Sequence, residues 1–169
     1  MTGKLFFALC VALALVSCSD EKSAGQAYRD AAERMAAARA YLAEVAVQDG
    51  GNQTPSGLLY RVDVKGDGLG LQATPQSSIL AHYRVQLTDG NEIESSYERN
   101  APALFRTRRL IAGLREGIAL MRPGDTFTLF IPPQLAYGAR GRPPIIPANA
   151  VLIYQVELVD VVLEDDASQ

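Results

Sequence analysis

An α+β domain preceded by a separate helix is the fold class that this sequence predicts, and three observations carry the expectation. Several short runs alternate apolar and polar residues at period two, the signature of half-buried strands. One internal run, Ile111 to Met121, places apolar residues at helical spacing and is stopped by Pro123-Gly124-Asp125. Residues 27–48 are rich in Ala, Glu and Arg and contain neither Pro nor Gly, which favours an uninterrupted helix. Strands in series around one short helix argue an antiparallel sheet rather than alternating βαβ units. The 169 residues accommodate one such domain of ~100 residues with extensions.

Taken in order, the first 17 residues read as a leader rather than as fold. Lys4 is followed by an unbroken apolar run from Leu5 to Val16, a signal-peptide pattern too short to span a bilayer. Leu15-Val16-Ser17-Cys18 resembles a bacterial lipobox, which implies cleavage before Cys18 and lipidation of its thiol. The alternative is an ordinary cut nearby with Cys18 left free. Ser19 after the cysteine follows the pattern of outer-membrane lipoproteins facing the periplasm, so the membrane is an expected partner through the anchor. No cysteine follows Cys18, which excludes disulfides and thiol catalysis from the mature chain.

Residues 18–26 are polar and small and read as a tether. In the helix expected over 27–48, Tyr28, Ala31, Met35, Ala38, Leu42 and Val45 form a heptad stripe. That stripe packs on its own domain or stands solvated; a weak homodimer through residues 27–48 is the alternative, its seam thinned by alanines. Residues 49–57 have turn chemistry and read as a linker. The domain is expected over 58–164, with a tail at 165–169. Its strands are anticipated at Tyr60–Val64, Ile79–Leu87, Glu92–Ser96, Phe127–Ile131 and Val151–Val162. Ile79, Ala81, Tyr83, Val85 and Leu87 share one face of the second, and Leu152, Tyr154, Val156 and Leu158 one face of the last. A Pro- and Gly-dense loop runs from Pro132 to Ala148.

Conventional catalytic kits are missing. His82 is the only histidine, so a His-based metal cluster or a Ser-His-Asp triad with a spare base is implausible. No G-x-S-x-G elbow or Walker A loop occurs, and neither metal nor cofactor is expected. A formal net charge of -3 announces no basic face, so nucleic acid is not an expected partner. Arg106, Arg108 and Arg109 read as a solvated cluster, with a ligand clamp as the alternative; Glu92 and Glu94 read as a solvated strand face. What is left is a set of apolar, aromatic, proline-rich loops on a β scaffold.

From about Leu58 onward these residues resemble the FKBP family of peptidyl-prolyl cis-trans isomerases. The carrying segments are His82-Tyr83, Leu87-Thr88-Asp89-Gly90, Ser95-Ser96-Tyr97-Glu98-Arg99, Leu110-Ile111-Ala112-Gly113-Leu114, Met121-Arg122-Pro123-Gly124-Asp125, Ile131-Pro132-Pro133-Gln134-Leu135-Ala136-Tyr137-Gly138, Ile146-Pro147-Ala148-Asn149-Ala150 and Leu152-Ile153-Tyr154. Each is weak alone; their order and spacing together are specific. The lead-in Thr54 to Tyr60 is similar to bacterial envelope members with a helical N-terminal region. The resemblance implies an antiparallel half-barrel sheet wrapped around the short helix, with the face of Ile111, Leu114 and Ile118 filling its concave side. It implies a catalytic set of Tyr83, Glu94, the Ile111 backbone N–H and the Tyr137 hydroxyl. It implies a substrate-binding wall of Ile93, Phe105, Leu110, Leu114, Ile145, Ile146 and Tyr154. His82 matches a family position outside the pocket and reads as structural.

Several positions depart from the family. Leu114 stands where a tryptophan floors the pocket, Ile93 where a phenylalanine walls it, Glu94 where an aspartate is usual, and Ala103 where a further aromatic is common. The resemblance therefore implies an isomerase acting on proline-containing unfolded or folding envelope proteins, slower than is typical and accelerated by Leu114→Trp if the pocket has room. The alternative is a weakly catalytic or non-catalytic chaperone or peptide-binding module on the same fold. A purely structural envelope lipoprotein is a third reading.

Overall fold

A computed structural model describes residues 17–48 and 51–163; the apolar leader run and the tail at 165–169 lie outside them. The chain opens with α1 (Ser17–Gln48) and continues through β1 (Asn52–Gln53), β2 (Leu59–Val64), β3 (Ser77–Gln86), β4 (Glu92–Ser95) and β5 (Ala103–Arg106). The short helix α2 (Ala112–Ala119), β6 (Thr126–Ile131) and β7 (Leu152–Leu163) follow, with single 3-10 turns at Thr107–Arg109, Pro133–Leu135 and Gly138–Arg140. The strands form one antiparallel sheet in the order β1-β2-β6-β7-β3-β4, and β5 pairs with the first half of β3. This is the α+β architecture expected, with α2 against one face of the sheet and α1 against the other.

Two differences from expectation concern local propensity. The segment 18–26, anticipated as a tether, is the first part of α1. Within that segment Gly25 costs the helix only about 1 kcal/mol. The four-residue β5 was not anticipated, and β1 lies inside the expected linker.

The heptad stripe is used within the chain. Ala38 and Val45 are buried, and Val45 packs with Leu59 and Phe130, flanked by Tyr41, Leu42 and Ile153. Phe130 points outward because Leu129 and Ile131 point inward, so the outer sheet face carries an apolar spot that α1 covers. The C-terminal part of the stripe is thus occupied by the chain's own sheet, while Tyr28 at its start stays 78% exposed. No helix among the described residues is long and apolar enough to cross a membrane.

The main core lies between α2 and the concave face. Ile118, Met121, Ile79, Leu129, Ile131 and Leu158 are sealed from solvent there. Gly113 and Gly117 let the helix approach: a Cβ at either would sit 2.4 Å from a methyl of Ile131 or Leu129 respectively. Below α2, the buried Asp125 gathers three donors. Its carboxylate accepts the Gly66 N–H at 2.9 Å, the Arg122 N–H at 2.8 Å and the Lys65 ammonium at 3.0 Å.

Candidate active site

The inward residues of β3 and β7 and the upper face of α2 meet in an apolar recess. Its walls are Ile79, Ala81, Tyr83, Phe105, Leu114, Ile118, Tyr154 and Val156. Period-two alternation puts Ile79, Ala81 and Tyr83 on one face of β3 and Tyr154 and Val156 on one face of β7. Leu114 and Ile118, four apart, share the face of α2. Phe105 stands edge-on to Tyr83, ring centres 5.1 Å apart. The recess is narrow: about 10 Å³ of it admits the centre of a water, close to the least that one water needs. The condition set for an indole at position 114, that the recess has room, is not met by this figure.

Polar groups ring the recess. The Tyr83 hydroxyl donates to the Glu94 carboxylate, and the Arg99 guanidinium donates to the Tyr83 hydroxyl oxygen at 3.3 Å and lies 3.6 Å from Glu94. Burial, then the bond to Glu94, raises the Tyr83 pKa, so the phenol keeps its proton at neutral pH. Burial raises that of Tyr154 as well, far above neutrality. Ile111 caps α2 in extended conformation, and its backbone N–H is engaged by no described residue. Tyr137 is half-buried against the main core on the loop after β6, and no described residue hydrogen-bonds its hydroxyl.

Of the residues anticipated from sequence, Tyr83, Phe105, Leu114 and Tyr154 line the recess directly. Ile93, Leu110, Ile111 and Tyr137 are half-buried against the main core to which the recess belongs, and Ile146 is buried in that core. Glu94 stands on the rim. Ile145 does not join the wall; it is 55% exposed at the loop tip. Sequence reasoning missed Arg99 and gave no wall role to Ile79, Ala81, Ile118 or Val156, although the alternation with Tyr83 and Tyr154 and the helical step from Leu114 carried that signal. His82 is structural as expected: it stacks on Tyr97 at 5.0 Å and its Nδ1 lies 3.2 Å from Ser96 Oγ, which also accepts the Tyr83 N–H at 2.8 Å. Among the described residues no cluster of His, Cys, Asp or Glu is placed to hold a metal ion.

Comparison with known proteins agrees with this geometry. A family model described as FKBP-type peptidyl-prolyl cis-trans isomerase matches residues 70–159, and one for the domain amino-terminal to such isomerases matches residues 11–62. An FKBP-type peptidyl-prolyl cis-trans isomerase FkpA of Aeromonas hydrophila is 41% identical over 140 residues, 83% of this chain and 51% of the relative. A peptidyl-prolyl cis-trans isomerase Mip of Coxiella burnetii is 35% identical over 123 residues, 73% of this chain and 53% of the relative. The chain therefore spans about half the length of these curated relatives. The crystal structure of FkpA from Escherichia coli superposes with a TM-score of 0.80 at 32% identity, covering 96% of this chain and 76% of that one. The chain belongs to the FKBP-type peptidyl-prolyl cis-trans isomerase family.

Proposed function

We propose that this chain rotates X-Pro bonds of unfolded or folding proteins in the bacterial envelope. What supports the reading is an apolar recess together with the Tyr137 hydroxyl and the Ile111 N–H, two donors with no partner among the described residues, on residues packed against the same core. Amide resonance sets a barrier of ~18–20 kcal/mol, and the uncatalysed X-Pro step takes tens of seconds or more. No bond breaks in the reaction, so neither nucleophile nor metal is called for. The planar amide is the more polar state and loses hydration against Leu114, Phe105 and Tyr154; the twisted state, with less charge separation, loses less. A donor from Tyr137 or Ile111 to a substrate carbonyl then fixes the geometry that favours the twist, which is differential binding of the transition state. Tyr83, Glu94 and Arg99 hold one another at the rim and keep the wall at Phe105 in place. Ile93, Leu110, Ile146 and the exposed Ile145 extend the apolar contact to residues flanking the proline.

A second reading, a peptide-binding chaperone with little turnover, is favoured by the small free volume and by leucine at position 114. Turnover of a proline tetrapeptide measured beside suppression of aggregation separates the two: the isomerase reading expects turnover, and aggregation suppression without turnover transfers the function to the second reading.

The envelope address rests on the leader pattern and on Cys18. Lipidation of Cys18 anchors the domain at the outer membrane facing the periplasm. Mass spectrometry of the mature N-terminus is expected to find an acylated residue 18, and an unmodified Cys18 there rules the anchor out.

A further inference from the structure

Asn149 sits in the loop that follows Ile146 and makes two bonds in opposite directions. Its backbone N–H donates to Gly138 O at 2.9 Å, closing the neck of the loop beside Tyr137. Its side-chain Nδ2 donates to Ala31 O of α1 at 2.9 Å, across 118 residues of chain. The amide is oriented unambiguously, because a carbonyl can only accept. Asn149 is buried and its Oδ1 has no partner among the described residues. A buried acceptor left unpaired is costly, so packing alone does not account for the side chain. Its backbone holds a left-handed φ of 58°, which asparagine tolerates better than most residues. Beside the bond the interface is loose: a recess of about 150 Å³ separates Arg34 and Ala38 from Pro147 and Ala150. The hydrogen bond from Asn149 to Ala31 is a polar tie between helix and loop beside this recess.

We infer that Asn149 is a positioning residue through which docking of α1 on the outer sheet face holds the Tyr137 loop in its working conformation. The inference rests on the isomerase reading for its kinetic consequence, but not for its structural one. It makes α1 part of the site although the helix touches no wall of the apolar recess.

The test is a double-mutant cycle on the full soluble chain. Asn149→Gly removes the side-chain bond while keeping the backbone N–H and tolerating the positive φ. Val45→Asp places a charge in the small outer cluster and undocks α1; that cluster is separate from the main core, so the domain stays folded. Each variant is expected to lower kcat about threefold with KM little changed. Each is also expected to raise amide exchange about tenfold at Gly141, Ile146 and Asn149, whose N–H groups bond inside the loop. The double variant is expected to match either single one, because both break the same link. Additive effects, or exchange in Asn149→Gly equal to wild type, overturn the inference. A wild type without turnover sinks the isomerase reading instead, and the exchange data still decide whether the helix holds the loop.

Discussion

Asp125→Asn is expected to remove about 3 kcal/mol of stability at neutral pH, the largest effect of any single substitution considered for this domain. The carboxylate is sealed from solvent and accepts from two backbone N–H groups and one ammonium. An amide of the same shape keeps one acceptor oxygen and turns an N–H₂ toward a donor, leaving a buried N–H unpaired. The position joins three segments, since Leu158 N–H also donates to Asp125 O and Gly124 N–H to Leu158 O. Acid should erase the difference. Burial by itself disfavours the charged form, but the bonds from Arg122, Gly66 and Lys65 outweigh it and hold the carboxyl below its ordinary value of 3.8. The unfolded chain therefore takes up the proton first as pH falls. The contribution is complete above the ordinary carboxylate range and disappears as pH drops through the lowered folded value. Urea midpoints of wild type and variant should differ widely at pH 7 and converge in acid; a gap of the same size at both would contradict this account.

Leu114→Trp is expected to destabilise the domain by about 1–3 kcal/mol and not to raise turnover. An indole has more than twice the heavy atoms of the leucine side chain, and only about 10 Å³ of the recess admits the centre of a water. The helix cannot make room by settling onto the sheet, because Gly113 and Gly117 already bring its backbone against Ile131 and Leu129. The ring must displace Phe105 or Tyr154 or project into the mouth where the prolyl ring would enter. Thermal melts should show a loss of roughly 4–8 °C per kcal/mol. An unchanged melting midpoint with faster isomerisation would show that the recess opens further in solution than its resting packing.

What the sequence revealed, and what it hid, follows from the range of the forces involved. The strands and α2 were legible because burial on one face imposes period two or 3.6 over many residues, as at Ile79 to Val85 and Leu114 to Met121. The helical state of 18–26 is not announced by the sequence, because its small polar composition suits a tether as well as a helix. β5 was missed because Ala103–Arg106 offers too short an alternation to detect. Half of the recess wall was legible through resemblance, namely Tyr83, Phe105, Leu114 and Tyr154, and Ile79, Ala81, Ile118 and Val156 were recoverable from strand and helix parity. The free volume was not: whether a leucine at position 114 leaves a hole or draws Phe105 and Tyr154 inward depends on side-chain packing in three dimensions. Nor could any local pattern announce the bond from Asn149 to Ala31, which joins residues 118 apart.

The most direct test of the isomerase reading is protease-free exchange spectroscopy on a proline tetrapeptide, with wild type and Tyr137→Phe compared in the same buffer. The loss of one hydroxyl on a half-buried loop leaves the core untouched, so both proteins should melt alike. Wild type is expected to accelerate cis-trans exchange clearly above the uncatalysed rate. Tyr137→Phe is expected to lose about tenfold of that acceleration, equivalent to ~1.4 kcal/mol of transition-state preference. Two folded proteins that both leave the peptide at its uncatalysed rate would contradict the account.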